Sequence, residues 1–310
     1  MSIFFHCPWS NNNEWFKAVK KKFRNQKIYR LQDKPNLLKI KFAIIWELPD
    51  HILDNMKNVR VLFSIGAGVD HILSLSSYKN QPIIRIKHHA MTERMNNHIL
   101  SQILFFQLHL KIYQEAQKKK KWNEGIKPVL NSNITIGILG LGFLGFFVAN
   151  QIYKLGYNVV GFKNFIPIKK YSFPVYYQKK NLKKFLNKCD VIVSILPSTV
   201  KNQNMINKNF FKMMKKKSLL INVGRGSVIN EKDLISHLKI NKQFGVSLDV
   251  FNKEPLSKSS LLWKMPNVFI TPHVASLTPI DEAVQYIYTK YLEYKKNGRI
   301  KSDVNIKEGY

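Results

Sequence analysis

The sequence is poor in cysteine and in acidic side chains. Its 310 residues include 2 cysteines, and 19 Asp and Glu against 50 Lys and Arg. Cys7 and Cys189 lie far apart in the sequence and show no metal-ligand spacing. We therefore expect neither a disulfide framework nor a metal site. Two free thiols indicate a reducing compartment, which we take to be the cytoplasm.

Long apolar runs are missing as well. No stretch of about 18 consecutive apolar residues is present, so the sequence predicts neither a transmembrane helix nor a membrane partner. Residues 1–5 are apolar from the start and lack the charged n-region of a signal peptide, which favours a first β-strand instead. With a hydrophobic fraction of 45%, the chain has the composition of a globular protein of one large or two ordinary domains.

The formal net charge of +31 has two interpretations. A nucleic-acid or membrane partner is one, and a general bias of the composition toward lysine, asparagine and isoleucine is the other. The lysines are scattered, and the densest runs, 118–121 and 215–217, fall at predicted helix ends, where they complement the helix dipole. No zinc-finger, RNP or basic-zipper pattern accompanies them. We therefore expect no nucleic-acid partner. We do expect the positive electrostatic field of the protein to attract anionic substrates.

Short apolar runs alternate with amphipathic stretches, a pattern typical of a parallel α/β fold. In the first hundred residues the predicted strands are 3–6, 28–31, 42–46, 59–64 and 83–86. The later predicted strands are 134–139, 158–162, 191–196, 219–223, 245–250 and 268–271. The predicted helices are 13–23, 96–120, 144–155, 231–239 and 281–296.

The amphipathic stretch 96–120 divides the chain. We expect it to be one long helix that leaves a first domain and enters a second, and the last helix to return the chain to the first domain. This predicts one domain of residues 1–98 and 282–310 and a second domain of residues 99–281.

A glycine pattern follows the first strand of the second domain. Its members, in the order G-x-G-x-x-G, are Gly140, Gly142 and Gly145. A lone match is weak, but this one follows an apolar strand and opens a helix, as dinucleotide binding requires. Gly140 permits a tight turn, Gly142 lets the backbone approach a pyrophosphate, and Gly145 allows close packing of helix on strand. The alternative is an ordinary glycine-rich turn.

The predicted helix after these glycines begins near Phe143 and Leu144. Its first amide groups have no partner within the helix, and its dipole is positive at this end, so it attracts phosphates. We therefore expect residues 99–281 to form a dinucleotide-binding domain.

The end of the next predicted strand distinguishes NAD from NADP. An acidic residue there would bind the ribose 2′-hydroxyl of NAD and repel the 2′-phosphate of NADP. This chain has Lys163 and no carboxylate at that point, with Lys169 and Lys170 following. We expect Lys163 to pair with the phosphate, so NADPH is the predicted cofactor and NADH the second choice. The alternative is that Lys163 is an ordinary surface lysine.

Polar residues follow three later predicted strands, as Arg225, Glu254 and His273. The carboxyl ends of parallel strands meet at one edge of a sheet, where open α/β folds bind ligands. Arg225 can bind a carboxylate by two hydrogen bonds and polarise a carbonyl. His273 can donate a proton, and Glu254 can orient the imidazole and favour its protonated form. Each residue alone has an ordinary structural explanation, but together they suit the reduction of a 2-oxo acid.

The sequence resembles the D-isomer-specific 2-hydroxyacid dehydrogenases over nearly its whole length, and within that family the branch called glyoxylate/hydroxypyruvate reductase A. The motifs that carry the resemblance are the glycine fingerprint, residues 64–70 (SIGAGVD), 91–95 (MTERM), 271–275 (TPHVA) and the terminal Gly309 and Tyr310. The resemblance implies two Rossmann-like domains, flavodoxin-like and dinucleotide-binding, with the active site in a cleft between them. It also implies a homodimer, and catalysis by Arg225, Glu254 and His273.

The resemblance implies binding roles for further residues. Asp249 would contact the nicotinamide amide, and Leu196 and Pro197 would flank the cofactor. The backbone amides of a loop would face the substrate carboxylate, and the members of this loop are Gly66, Ala67, Gly68 and Val69. Trp46 would line the substrate pocket. The alternative, to which we give equal weight, is that Trp46 is a core aromatic residue at the end of a strand.

Two positions depart from the family pattern. Gly224 replaces the usual Ala or Ser before the catalytic arginine, and Asn202 replaces a threonine as a helix cap after Pro197.

The alternative functions that remain are a related dehydrogenase for another 2-oxo acid, a dinucleotide-binding regulatory protein with little turnover, and a basic nucleic-acid-binding protein. The function we expect is NADPH-dependent reduction of glyoxylate and hydroxypyruvate.

Overall fold

The computed structural model describes residues 2–166, 170–306 and 308–310. The chain divides into two compact units, Met1–Met91 with Thr278–Tyr310, and Thr92–Leu277. Both units contain a parallel sheet with helices, which confirms the predicted fold class of two Rossmann-like α/β domains. The sequence analysis predicts the domain limits between residues 98 and 99 and between residues 281 and 282.

The first unit contains a five-stranded parallel sheet. Its strands are β1 (Ser2–His6), β2 (Lys27–Tyr29), β3 (Ile40–Ile45), β4 (Val61–Ser64) and β5 (Ile83–Ile84). Their order in the sheet is β2-β1-β3-β4-β5. The helices among these strands are α1 (Asn12–Lys22), α2 (Asp50–Asn55) and α3 (Asp70–Leu73). All four residues of β4 are buried, as expected for the interior strand of a parallel sheet covered on both faces.

The second unit contains a seven-stranded parallel sheet. Its strands are β6 (Thr135–Leu139), β7 (Asn158–Lys163), β8 (Val175–Tyr177), β9 (Val191–Ser194), β10 (Leu219–Asn222), β11 (Gly245–Leu248) and β12 (Val268–Ile270). The order is β12-β11-β10-β9-β6-β7-β8. The direction of strand succession reverses at β6, between β7 and β9, which is the switch point where such folds bind dinucleotides.

Helices cover both faces of this second sheet. They are α4 (His89–Gln107), α6 (Phe143–Lys154), α7 (Leu182–Lys188), α8 (Lys208–Met213) and α9 (Glu231–Ile240). A further helix, α5 (Leu110–Lys118), has no buried residue. Residues of α7, α8 and α9 form one core cluster, and residues of α4 and α6 form another. The sheet is therefore buried on both sides, which explains why its strands are continuous apolar runs rather than alternating ones.

The predicted long helix 96–120 is wrong in its details. Two helices, α4 and α5, replace it, because His109 adopts the left-handed conformation at φ 54°. The end of α4 is fixed by the buried side chain of Gln107, which donates to the carbonyl of Val129 at 2.8 Å and accepts from the Tyr157 hydroxyl at 2.6 Å. Hydrophobic periodicity does not report such polar contacts.

The last helix, α10 (Ile280–Asn297), belongs to the first unit. It packs through aromatic side chains, with Tyr291 edge-on to Phe23 at 5.2 Å and to Phe42 at 5.1 Å between ring centroids. Within the described ranges of the chain, no helix has both the length and the apolar character needed to cross a membrane.

Candidate active site

The glycine loop after β6 has the close contacts that its pattern predicts. Gly140 adopts φ 95°, which favours glycine. A Cβ atom on Gly145 would lie 1.9 Å from the carbonyl oxygen of Gly140, so any side chain there would separate α6 from the loop. Gly142, in contrast, is the N-cap of α6 and has open space around its Cα. These residues therefore fit a dinucleotide pyrophosphate at the start of α6, next to Phe143 and Leu144.

A second loop, residues 195–197, lies directly beside the glycine loop. A Cβ on Gly140 would be 3.0 Å from the carbonyl oxygen of Ile195. A Cβ on Gly224 would be 2.4 Å from the carbonyl oxygen of Leu196. The glycine that departs from the family pattern therefore allows this chain to pack residues 195–196 against the segment that carries Arg225.

Asn202 does not cap a helix, so that expectation is wrong. Residues 197–204 form an irregular loop and turns, and the next helix, α8, begins only at residue 208. The buried Asn202 amide instead donates to the carbonyl of Pro197 at 3.1 Å. This hydrogen bond closes the loop on itself, which is an alternative role of asparagine in turns.

Lys163 is the last residue of β7, at the carboxyl edge of the sheet. Its Nζ donates to the hydroxyl of Tyr171 at 3.3 Å. Sequence reasoning missed Tyr171, since it lies in an irregular segment before the short strand β8. Lys170 is exposed, and Lys169 lies outside the described residues. The ammonium group of Lys163 and the hydroxyl of Tyr171 can both donate hydrogen bonds to a phosphate.

The structure brings Glu254 and His273 into direct contact. Nδ1 of His273 lies 2.7 Å from Oε2 of Glu254. The other carboxylate oxygen, Oε1, accepts from the backbone amide of Phe251 at 2.9 Å. Both oxygens of Glu254 are therefore used, and the carboxylate is fixed in its orientation. Because Nδ1 faces Glu254, Nε2 is the nitrogen available for proton transfer to a ligand.

The environment keeps Glu254 ionised. Burial alone would raise the pKa of the Glu254 carboxyl, but the hydrogen bonds from His273 and Phe251 outweigh it. The positive charges of His273 and Arg225 act in the same direction, and the pKa of Glu254 lies below its ordinary value.

His273 has an unusual backbone conformation, with φ 55°. The buried carboxylate of Asp249 holds this segment in place, accepting from the Thr271 hydroxyl at 2.6 Å and from the amides of Val274 and Ala275 at 2.9 Å each. The backbone carbonyl of Asp249 also accepts from the amide of His273 at 2.8 Å. Asp249 thus supports the His273 segment, a role that the sequence did not predict. Its contact with the nicotinamide amide stays a prediction.

Arg225 lies between two close backbone contacts. Gly224 packs on residues 195–196, and a Cβ on Gly226 would lie 1.9 Å from the carbonyl carbon of Phe251. The side chain of buried Asn222, the last residue of β10, donates to the carbonyl of Arg225 at 3.0 Å. The segment that carries Arg225 is therefore fixed between the cofactor loop and the segment leading to Glu254.

In the first unit, Trp46 contacts the predicted substrate loop. The residue follows β3 and packs at a tilt against two rings, those of His71 at 4.2 Å and Trp9 at 5.1 Å between centroids. A Cβ on Gly66 would lie 2.6 Å from the Trp46 ring. Trp46 is only partly buried, so part of its surface stays accessible in addition to its packing contacts.

The loop itself presents backbone donors. Within residues 2–166, 170–306 and 308–310, no group accepts a hydrogen bond from the amides of Ala67, Gly68 and Val69. Ala67 and Gly68 are partly exposed. Consecutive backbone amides of this kind suit a carboxylate or another anion. Sequence reasoning missed the two side chains that support the loop, Ser64 and His71, although both lie within or next to the motif at 64–70.

Comparison with known proteins identifies the family. Residues 100–275 match the family model described as D-isomer specific 2-hydroxyacid dehydrogenase, NAD binding domain. This is more than half of the chain. The protein therefore belongs to the D-isomer specific 2-hydroxyacid dehydrogenases, oxidoreductases with a dinucleotide-binding domain, and the resemblance seen in its motifs is confirmed.

Solved structures match the whole chain. An NADPH-dependent glyoxylate/hydroxypyruvate reductase from Sinorhizobium meliloti, in complex with NADP and sulfate, is 27% identical, with a TM-score of 0.93 over 100% of this chain and 99% of that chain. A probable 2-hydroxyacid dehydrogenase from Rhizobium etli CFN 42, in complex with NADP, HEPES and L(+)-tartaric acid, is 25% identical, with a TM-score of 0.91 and the same coverage. A D-isomer specific 2-hydroxyacid dehydrogenase from Xanthobacter autotrophicus Py2, in complex with NADPH and MES, is 25% identical, with a TM-score of 0.92 and again that coverage.

The contrast between Gly142 and Gly145 yields a prediction. Gly145→Ala should lower the thermal unfolding midpoint of the protein without cofactor, because overpacking typically costs about 1–3 kcal/mol. Gly142→Ala should leave that midpoint nearly unchanged, because the space is open, yet weaken NADPH binding roughly tenfold or more by blocking the approach of the pyrophosphate. Thermal unfolding and fluorescence titration with NADPH measure the two effects. Full NADPH affinity in Gly142→Ala would mean that the pyrophosphate binds elsewhere.

Proposed function

We propose that this protein is an NADPH-dependent reductase that converts glyoxylate to glycolate and hydroxypyruvate to D-glycerate. The observation that carries the proposal is the His273–Glu254 pair, held at the carboxyl edge of the dinucleotide-binding sheet, with the segment that carries Arg225 packed on Phe251, whose amide binds Glu254. The NADPH-dependent glyoxylate/hydroxypyruvate reductase from Sinorhizobium meliloti, matched over the full length of this chain, supports the choice of substrates.

The chain's own residues account for binding and proton transfer. When bound, NADPH supplies the hydride that reaches the carbonyl carbon. The start of α6 and the glycine loop hold the pyrophosphate. The Arg225 guanidinium binds the carboxylate and stabilises the charge that develops on the carbonyl oxygen. His273 donates the proton of Nε2 to that oxygen, and the ionised Glu254 favours the protonated imidazole before transfer.

Residues of the first unit complete the proposed binding set. The amides of Ala67, Gly68 and Val69 are proposed to bind the substrate carboxylate, and Gly66 lets the loop lie against Trp46. Trp46 is proposed to limit the size of the group attached to the oxo carbon. Leu196, Pro197 and Asp249 are proposed to contact the cofactor.

A panel of 2-oxo acids tests the proposed substrates. Oxidation of NADPH should be fastest, by kcat/KM, with glyoxylate and hydroxypyruvate and slower with pyruvate, because pyruvate carries an additional methyl group without a hydroxyl. A clear preference for pyruvate or a larger 2-oxo acid would replace the proposed substrates with that acid. No turnover of any member would favour a regulatory dinucleotide-binding protein.

The cofactor preference is proposed to depend on Lys163. The side chain stands where an acidic residue would bind the ribose of NAD, and the Tyr171 hydroxyl lies beside its Nζ. The kcat/KM of the native protein should be higher with NADPH than with NADH. Lys163→Ala should lower the NADPH value by about tenfold or more, because a charge-assisted hydrogen bond to the phosphate is lost, and leave the NADH value nearly unchanged.

Two comparisons make this test decisive. Lys154→Ala, which removes the last lysine of α6 at the end away from the glycine loop, is the matched control and should change neither value. Equal kcat/KM values for both cofactors in the native protein would contradict the NADPH assignment. Equal losses with both cofactors in Lys163→Ala would assign Lys163 a structural role instead.

His273→Asn tests the proposed acid. Asparagine tolerates the left-handed backbone that this position requires, so the segment should keep its shape while the imidazole is removed. We expect kcat to fall by about 10²–10⁴-fold, the usual contribution of general acid–base catalysis, with NADPH affinity retained. Stopped-flow and steady-state NADPH oxidation measure the loss. A near-normal kcat would rule out His273 as the acid.

Glu254→Gln tests the partner through pH dependence. The pKa of Glu254 is lowered, so its negative charge persists into the acidic range, 2.7 Å from Nδ1 of His273. A negative charge this close favours the protonated form of an imidazole. Reduction needs this protonated form, and activity is lost as pH rises. Removing the charge should therefore shift the alkaline limb of the kcat/KM profile to lower pH. An unchanged alkaline limb in Glu254→Gln would show that the carboxylate does not influence the acid.

Two further expectations belong to this proposal. We propose a homodimer, as the resemblance implies, and the Trp122 side chain, 90% exposed in the single chain, is a candidate for burial in it. We propose a cytoplasmic location, because Cys7 and Cys189 are free thiols. Light scattering of the purified protein decides the oligomeric state.

A further inference from the structure

His71 lies in a chain of hydrogen bonds below the proposed substrate loop. Its Nδ1 accepts from the backbone amide of Glu47 at 3.1 Å. A backbone amide can only donate, so Nδ1 carries no proton. The proton of the neutral imidazole is therefore on Nε2, which lies 3.3 Å from Oγ of Ser64. The geometry thus makes His71 a donor to Ser64.

Ser64 connects His71 to the proposed substrate loop through hydrogen bonds. Its hydroxyl is buried and donates to the carbonyl of Gly68 at 2.9 Å. Its oxygen also accepts from the amide of Gly66 at 3.4 Å. A hydroxyl has one proton, and it is available for the bond to Gly68 because His71 and Gly66 both donate to the Ser64 oxygen and neither accepts that proton.

The bond to Gly68 determines where a loop amide points. The carbonyl of Gly68 and the N–H of Val69 belong to one planar trans peptide group, in which the two bonds point in opposite directions. Holding the carbonyl toward Ser64 therefore turns the Val69 N–H away from Ser64. This amide is one of the three donors, with Ala67 and Gly68, that have no acceptor in the described chain.

The His71 ring also packs against Trp46, and this contact allows two explanations of its role to be separated. The ring planes are tilted by 39° with centroids 4.2 Å apart, and Trp46 in turn packs on Gly66. If His71 acts only as a ring packed on Trp46, a phenylalanine at this position should preserve its role. If His71 acts through its two nitrogens, a phenylalanine should not.

We propose that His71 is a positioning residue that, through Ser64, orients the amide donors of residues 67–69 toward the carboxylate of the 2-oxo acid. This inference rests on the proposed function, in which the loop binds that carboxylate. His71 touches neither the substrate nor the cofactor in this role. It determines substrate affinity by fixing the direction of the peptide between Gly68 and Val69.

The test compares His71→Phe, Ser64→Ala and His71→Gln. His71→Phe keeps a ring packed on Trp46 and removes both hydrogen bonds of His71, and Ser64→Ala removes the hydrogen bond to Gly68. Both should raise KM for glyoxylate roughly tenfold, the scale of one or two buried hydrogen bonds, with kcat and KM for NADPH nearly unchanged. His71→Gln carries an amide donor at a similar reach to Nε2 and should recover part of the loss. The exposed His51 of α2 provides the control, and His51→Gln should behave as the native protein.

A second readout does not depend on turnover. Isothermal titration of the NADP-loaded protein with oxalate, a planar dicarboxylate analogue of glyoxylate, should show weaker binding in His71→Phe and Ser64→Ala by the same factor as the rise in KM. Unchanged oxalate affinity and unchanged KM in His71→Phe would overturn the inference. A loss confined to kcat or to the unfolding midpoint would also overturn it, since it would show a purely structural role.

Failure of the two proposals is distinguishable. If the native protein reduces no 2-oxo acid, the proposed function fails, and the oxalate titration still decides the role of His71. If the native protein is active and neither His71→Phe nor Ser64→Ala changes the affinity for glyoxylate or oxalate, only the inference about His71 fails.

Discussion

The buried carboxylate of Asp249 is the contact on which the geometry of the candidate catalytic site depends most. It stands directly after β11, 1% exposed, and receives three hydrogen bonds from residues of the segment that follows β12. A buried carboxylate requires such donors, because an unpaired charge away from water is very unfavourable. The same donors fix the turn that holds His273 in a left-handed backbone conformation, where its Nδ1 contacts Glu254. The requirement to satisfy one buried charge thus determines the position of the proposed acid.

Close backbone contacts perform the equivalent task for Arg225. Gly224 and Gly226 leave no room for a Cβ, so the segment between them lies directly on the neighbouring loops. In the first unit, hydrogen bonds through His71 and Ser64 orient the proposed substrate loop. In each case a functional group is held by neighbours that do not themselves take part in the chemistry. Such support is what gives a binding or catalytic group a defined orientation before the ligand arrives.

The sequence predicted most of the fold because the two sheets are parallel and buried on both faces. Their strands are continuous apolar runs, and the G-x-G-x-x-G pattern identifies the strand at the switch point. The hydrophobic pattern did not predict the break between α4 and α5. That break depends on hydrogen bonds of Gln107 with Val129 and Tyr157, which are distant in the sequence. The short strand β8 was also missed, since three residues carry little periodicity.

The proposed catalytic residues could be named from the sequence, whereas the residues that support them could not. Arg225, Glu254 and His273 follow strands and have side chains that suit the reaction, so residue type and position were informative. Tyr171, Ser64 and His71 have ordinary side chains whose roles arise from hydrogen bonds in the folded chain. Asn202 was misassigned because asparagine suits both a helix cap and a turn, and only the folded loop distinguishes them.

In the proposed reaction, NADPH would supply a hydride to the carbonyl carbon of a 2-oxo acid while His273 protonates the oxygen. The most direct measurement uses NADPH deuterated at both C4 positions, with glyoxylate as the acceptor and NMR or mass spectrometry of the product. The expected product is glycolate with one deuterium on carbon 2, formed in step with NADPH oxidation. Unlabelled glycolate, or NADPH oxidation without glycolate, would contradict it.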